Sequence, residues 1–141
     1  MLNSANNLLR KIDKVAEEDG RYKREAYLFV YAALEFAVHK LKRDQVETAK
    51  ARHITGRELS EHIAVYAQEQ YGPMARPVFE HWGVQKTLDF GRIVFNLVEA
   101  ELMSKTEEDR LEDFQDVYDF DEVFDPKKIQ DNLSQFDLER L

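Results

Sequence analysis

Residues 102–124 read LMSKTEEDRLEDFQDVYDFDEVF, and the fold prediction depends on this stretch more than on any other. It follows a strongly apolar helical pattern and combines dense carboxylates with regularly spaced aromatic residues. Met103–Lys105, a polar turn at Glu107–Arg110 and the run Leu111–Gln115 together predict a β-hairpin. The even positions beyond it carry aromatic residues that we expect to face one way from an extended segment, namely Phe114, Tyr118, Phe120 and Phe124. The stretch therefore predicts the wing of a winged-helix domain.

The helices that precede this stretch are predicted from apolar spacing and from start and stop signals. A one-faced helical pattern over residues 5–17 ends at Asp19-Gly20, where glycine suits the left-handed position that follows a helix. From Lys23 to Arg43 the predicted helix is apolar on nearly every side, which places it at the centre of the core. The capping-box pattern of Thr55 to Glu58 starts a further helix, and Tyr71-Gly72 stops it.

The order of elements from Thr55 onward gives the fold class. We predict helix, helix, short strand, helix and hairpin, with the strand at Val84–Lys86 and the last helix, capped by Thr87 or Asp89, reaching Leu102. The expected fold is mainly α with a small β-hairpin, built on a helix-turn-helix or winged-helix-like core with flanking helices.

Length and composition predict one domain with a tail. With 141 residues and no cysteine, the chain is long enough for one core and excludes disulfides and thiolate chemistry. We expect a single helical domain over residues 1–125, ending in the hairpin-like segment, and a short helical tail over 126–141. The tail has two interpretations, docking on its own domain or binding in a partner's groove, and its apolar positions are Ile129, Leu133, Phe136 and Leu141.

Targeting signals are missing from the sequence. No apolar run approaches the roughly 18 residues that a membrane-spanning helix requires. The first 20 residues lack the apolar stretch of a signal peptide. We therefore expect a cytoplasmic location and no membrane contact.

Charge is distributed unevenly along the chain. The formal net charge is −8, and residues 106–141 hold 13 Asp and Glu against 4 Lys and Arg. Nucleic-acid-binding surfaces are usually basic, because much of their affinity comes from displacing counterions from phosphates. The acidic C-terminal part would repel phosphate, so the charge argues against a nucleic-acid partner.

The helix that a helix-turn-helix fold would place in the major groove covers residues 89–102. Its exposed face offers Arg92 and Asn96, which are residue types that contact base edges, together with three carboxylates. This composition is poor for reading DNA. A transcription-associated DNA-binding protein stays as an alternative because the N-terminal part carries basic residues around Lys40–Arg43 and Lys50–Arg57.

The acidic run from Glu107 to Asp125 has three interpretations. It is a solvated edge, a surface for a basic protein partner, or a Ca²⁺ or Mg²⁺ site made of carboxylate oxygens. The spacing of an EF-hand loop is absent, so we assign no metal and no cofactor. The candidate residues for a partner surface are Asp113, Asp116, Tyr118, Asp119, Phe120, Asp121 and Phe124.

Other reactive residues do not form a recognisable active site. Glu58 and His62 lie one helical turn apart and could share a metal, but the HExxH pattern is missing. A capping glutamate beside a surface histidine explains the pair as well. Ser60 and Ser104 lack the G-x-S-x-G turn, and no glycine-rich phosphate loop exists. No catalytic residue is predicted. The aromatic residues of the helices, Phe79 among them, are interpreted as core residues, and the tyrosine hydroxyls would serve as polar handles if some of these residues line a pocket.

Several sequence blocks resemble an uncharacterised family of short bacterial conserved hypothetical proteins. The similarity covers roughly residues 21–124 and includes YGPMA at 71–75, IVFNLVEA at 93–100, SKTEED at 104–109 and YDFD at 118–121. The family has no known activity, cofactor or partner, so the resemblance implies no functional residue. Its members carry glycine where this chain has Glu101, which leaves open where the preceding helix ends.

These observations favour a non-enzymatic protein-interaction module. The predicted contact surface is the acidic stretch 102–124 or the tail helix. The alternatives are the DNA-binding protein and a small-molecule or metal-binding enzyme that uses Glu58, His62 and the tyrosines.

Overall fold

A computed structural model describes residues 2–128, and every regular element in this part of the chain is helical. Short 3₁₀ turns lie at Arg43–Gln45, Gly72–Met74 and Leu111–Phe114. The α-helices are α1 (Leu2–Asp19), α2 (Arg24–Lys40), α3 (Ala49–Arg52), α4 (Gly56–Tyr71), α5 (Ala75–His81), α6 (Thr87–Glu99) and α7 (Phe120–Val123).

Helix α2 lies at the centre of the core, which confirms its predicted position. It packs against α1, α4 and α6. Its buried positions include Ala26, Ala33 and Ala37, whose small side chains let neighbouring helices approach closely. Tyr27 and Val30 are also buried, and burying a large apolar side chain stabilises the fold by about 1.5–3 kcal/mol.

Two predicted helix boundaries are confirmed by their hydrogen bonds. Gly20 has a φ of 74° and its amide donates to the carbonyl of Ala16 at 3.0 Å, which ends α1. At the start of α4 the Thr55 hydroxyl accepts from the amide of Glu58, and the Glu58 carboxylate accepts from the amide of Thr55, both at 3.1 Å. This is the predicted capping box.

A second group of buried side chains forms an aromatic cluster around Phe79. Its ring centroid lies 5.2–5.9 Å from five neighbouring rings, distances typical of favourable aromatic packing. The prediction that the aromatic residues of the helices belong to the core is confirmed for Phe79. Its five neighbours are Phe29, Trp82, Phe90, Phe120 and Phe124.

The predicted fold class is wrong in its β component. Within residues 2–128 no strand is present, so there is neither a β-hairpin nor the wing of a winged-helix domain. The run Leu111–Phe114 forms a 3₁₀ turn, and Phe120–Val123 forms the short helix α7. The predicted strand at Val84–Lys86 is an irregular connection with a bend at Lys86.

Local hydrogen bonds to aspartate explain why these segments do not become strands. The carboxylates of Asp109, Asp113 and Asp119 each accept a nearby main-chain amide, at 2.8, 2.9 and 2.7 Å. Asp89 does the same for the amides of Gln85 and Lys86, at 2.8 and 3.2 Å. An amide held by a local side chain is withdrawn from a sheet ladder. The alternating aromatic pattern therefore results from successive turns.

Glu101 occupies the position that closes α6. It has a φ of 63°, and the amides of Glu101 and Leu102 donate to the carbonyls of Val98 and Leu97 at 3.0 and 2.9 Å. These two bonds define a Schellman motif, in which the left-handed residue is usually glycine. The helix therefore ends at Glu99 instead of the predicted Leu102, although the closing residue is not glycine.

Replacing this residue with glycine is expected to stabilise the protein. Glu101→Gly should raise the free energy of unfolding by about 1 kcal/mol, because a side chain in the left-handed region is strained. Thermal denaturation followed by circular dichroism should show a melting temperature higher by about 2–4 °C. Glu99→Gly, inside the helix, is the matched control and should lower stability by about 0.5–1 kcal/mol. If Glu101→Gly and Glu99→Gly change the free energy of unfolding by the same amount, the assignment of Glu101 as the left-handed residue that closes α6 is contradicted.

The predicted division of the chain at residue 125 stays a prediction. The buried core extends from Ile12 to Phe124. The apolar residues of the predicted tail helix, Ile129, Leu133, Phe136 and Leu141, lie outside the described residues.

Candidate functional site

The acidic segment, residues 102–124, places its phenylalanines in the core. Phe114, Phe120 and Phe124 are at most 4% exposed. Tyr118 is partly buried, and its hydroxyl donates to the carbonyl of Ser60 at 2.8 Å. Burial raises the pKa of the Tyr118 hydroxyl well above its ordinary value. These four rings therefore attach the segment to the domain.

The aspartates predicted for a partner surface face solvent. Asp113, Asp116, Asp119 and Asp121 are all exposed. Asp121 lies 3.5 Å from the guanidinium of Arg76. The structure thus separates the predicted contact residues into a buried aromatic set and an exposed acidic set, and the buried phenylalanines are not accessible to a partner.

Two glycines, the first residue of α4 and the fifth residue of α6, leave space for Phe114. A Cβ atom on Gly91 would lie 2.7 Å from Cγ of Phe114, and one on Gly56 would lie 2.8 Å from its Cε2. The Thr87 hydroxyl donates to the carbonyl of Phe114 at 2.6 Å and accepts from the amide of Val117 at 3.2 Å. The 3₁₀ turn is therefore fixed tightly where the two helices begin.

An apolar pocket of about 280 Å³ lies beside Phe114. Ligand pockets have volumes of roughly 300–1,000 Å³, so this pocket is slightly smaller than that range. Its polar lining residues are Arg52, His53, Ser104, Lys105, Asp109 and Asp113. Its apolar walls are Leu34, Val38, Ile54, Leu59, Val94, Phe95, Met103 and Phe114.

A histidine–carboxylate contact and an arginine–carboxylate ion pair hold the polypeptide around this pocket. A carboxylate oxygen of Asp109 lies 2.9 Å from Nε2 of His53. Arg43 donates to the carboxylate of Glu58 at 2.7 Å and to the carbonyl of His53 at 2.6 Å. The connection between α2 and α4 is thereby joined both to α4 and to the acidic segment.

Both carboxylates in these pairs are held in their charged form. Partial burial acts to raise the pKa of Asp109, but hydrogen bonds from the amide of Thr106 and from His53 outweigh it and place the pKa below its ordinary value. Burial also acts to raise the pKa of Glu58 and is the largest single effect on it. Interactions with Thr55 and Arg43 outweigh burial and lower this pKa below its ordinary value. These charges therefore stabilise the pocket wall above the ordinary carboxylate pKa, and that contribution is lost as the pH falls through the lowered values.

An acidic groove adjoins the apolar pocket. It has a volume of about 470 Å³, and its one arginine, Arg57, is paired with Glu61 at 3.1 Å. His53, Asp109 and Asp113 line both the groove and the pocket, which places the two side by side. The groove's carboxylates are Glu108, Asp109, Glu112, Asp113 and Asp116.

The residues considered for metal binding are engaged in other contacts. The carboxylate of Glu58 is bonded to Thr55 and Arg43, and Nδ1 of His62 lies 2.8 Å from the main-chain oxygen of Glu58. No group of three or more His, Cys, Asp or Glu residues in the described part of the chain is arranged to hold a metal ion.

The residues considered for DNA contacts are also engaged internally. Arg92 donates to the carboxylate of Asp89 at 3.1 Å, and the amide of Asn96 donates to the hydroxyl of Tyr27 at 3.0 Å. Burial raises the pKa of Tyr27 to about 12, although the bond from Asn96 opposes the rise. Neither Arg92 nor Asn96 is presented as a free base-reading side chain.

Sequence reasoning missed the pocket because its walls come from distant parts of the chain. His53 and Asp109 are 56 residues apart, and no local pattern joins them. The capping box was the one local signal in this region, since it placed Glu58 at the start of α4.

Comparison of the chain with protein-family models, with curated proteins and with solved structures finds no match. The resemblance to the family of short bacterial proteins therefore stays a prediction. Over residues 2–128, no helix is both long enough and apolar enough to cross a membrane.

Proposed function

We propose that this chain is a non-enzymatic protein-interaction module whose acidic groove binds a basic segment of a partner protein. The observation that carries the proposal is the concentration of five carboxylates along one groove, where the single arginine is already paired with Glu61. Among the side chains that the structure describes, none forms an ion pair with Glu108, Glu112 or Asp116. These three carboxylates are available to lysine or arginine of a partner.

The physical contribution of the groove is electrostatic. Walls of one charge sign concentrate the field, which speeds the approach of an oppositely charged partner. Each exposed ion pair contributes only about 0–1 kcal/mol, so several pairs acting together are required. Salt is expected to weaken the binding, because exposed charges are screened.

Removing the three free carboxylates tests this proposal. The triple variant Glu108→Gln, Glu112→Gln and Asp116→Asn should bind a fluorescein-labelled lysine-rich peptide about tenfold more weakly, on the basis of about 0.5 kcal/mol per pair. Fluorescence anisotropy at low salt gives the dissociation constants. Asparagine is used at position 116 because Asp116 has a φ of 49°, and asparagine tolerates the left-handed region.

A second triple variant provides the control for net charge. Glu17→Gln, Glu25→Gln and Glu69→Gln remove the same number of charges from exposed positions outside the groove. Their effect on the dissociation constant should stay within about twofold, since screening limits long-range contributions. Equal weakening by both triple variants, or no binding by the unmodified protein, would refute a binding role for the groove.

A further inference from the structure

We infer that the apolar pocket receives one bulky apolar side chain of the same partner segment whose basic residues occupy the acidic groove. The inference rests on the proposed function and adds the chemistry of the recognised motif. That motif is a run of lysine or arginine next to a single leucine, isoleucine or phenylalanine.

The pocket and the groove lie side by side. His53, Asp109 and Asp113 line the pocket on one side and the groove on the other. A chain whose cations contact the groove carboxylates therefore has its neighbouring residues at the entrance of the pocket. Short peptides commonly combine charged contacts with one side chain anchored in a pocket.

The pocket has a size and lining that suit one side chain. Its volume of about 280 Å³ is smaller than that of the groove beside it, which is about 470 Å³. Its walls are aliphatic and aromatic side chains from α2, α4 and α6 together with Met103 and Phe114. Such a cavity accommodates a single large side chain. Burial of that side chain should strengthen binding about 10- to 100-fold.

Charge is distributed unevenly around the pocket. Arg52 and Lys105 line the pocket but not the groove. Nζ of Lys105 lies 5.9 Å from the ring centroid of Phe95. Partner cations are therefore repelled from this side and attracted to the side of Asp109 and Asp113. The bound segment has its basic residues on one side of the anchor and neutral or acidic residues on the other.

The test compares two labelled peptides. One has three lysines next to a leucine, and the other has three lysines next to an alanine. Each is made in both chain orders, with the lysines before or after the fourth residue. Wild-type protein should bind the leucine peptide at least tenfold more tightly than the alanine peptide in one chain order. Val94→Phe fills the pocket from α6, and Val38→Phe fills it from α2. Either variant, once shown to be folded by circular dichroism, should reduce the leucine preference to less than twofold and leave alanine-peptide binding unchanged.

The outcomes separate this inference from the proposed function. The Glu108, Glu112 and Asp116 triple variant should weaken both peptides by the same factor. If the triple variant weakens the binding of both peptides but Val94→Phe and Val38→Phe keep the leucine preference, the anchor inference is wrong and the groove proposal stands. If the triple variant has no effect, the groove proposal fails. Free indole should displace the leucine peptide; indole that binds without displacing it would assign the pocket to small molecules and overturn the inference.

Discussion

Phe114→Ala is expected to lower the free energy of unfolding by about 3–5 kcal/mol, the range for removing a fully buried phenylalanine. The ring is 4% exposed and packs against the start of both α4 and α6. Gly56 and Gly91 have no side chains that could move into the vacated space, so the cavity should persist. A persistent cavity places the loss toward the upper end of the range.

Urea denaturation followed by far-ultraviolet circular dichroism measures this loss. Leu111→Ala changes the first residue of the same 3₁₀ turn, which is only partly buried, and serves as the control. It should cost about 1 kcal/mol, because less apolar area is lost. Losses of equal size at the two positions would show that Phe114 does not anchor the segment.

Gly91→Ala is expected to destabilise the protein by about 2–3 kcal/mol through overpacking. Replacing glycine with alanine in a helix interior normally stabilises a protein by about 1 kcal/mol. The change in stability expected at Gly91 has the opposite sign. The added Cβ would lie 2.7 Å from Cγ and 2.8 Å from Cβ of Phe114. These atoms are close to the main chain of the turn, so rotation of the ring alone does not relieve the contact.

A double-mutant cycle tests the cause of this loss. In a Phe114→Ala background the obstructing ring atoms are absent, although Cβ of Phe114 remains as the alanine methyl. Gly91→Ala should therefore cost much less there, with a coupling energy of about 1–3 kcal/mol. Urea denaturation of the four proteins gives that coupling. If Gly91→Ala costs the same in both backgrounds, the destabilisation has a source other than Phe114.

Features set by neighbouring residues were predictable from the sequence. The central position of α2 follows from its continuous apolar run, and the start of α4 follows from the capping box at Thr55 and Glu58. The end of α1 at Gly20 follows from the conformational freedom of glycine. Each of these features is determined by residues that lie within a few helical turns of one another in the sequence.

The hairpin was wrongly predicted because two physical effects compete for the same amides. Alternating aromatic residues favour a strand, whereas aspartates that accept nearby amides favour turns. At Asp109, Asp113 and Asp119 the local hydrogen bonds are formed.

The candidate site was predictable only in part. Acidity in residues 102–124 is evident from composition, and the exposure of Asp113 and Asp116 agrees with it. The pocket depends on contacts between α2, α6 and the 52–59 region, which lie far apart in the sequence. Single-sequence periodicity carries no information on such contacts.

The way the acidic segment is attached has a consequence for local opening of the protein. Within the described residues, the main chain of 104–124 hydrogen-bonds to other main-chain groups only inside that range. Its links to the rest are buried rings, the contacts of Asp109 with His53 and of Asp121 with Arg76, and side-chain bonds that involve Thr87, Tyr118 and Gln68. The segment can therefore detach as a cooperative unit while the ladders of the long helices stay intact. Because the groove and one pocket wall are part of this unit, a bound partner raises the free energy of its detachment and slows amide hydrogen exchange throughout the segment.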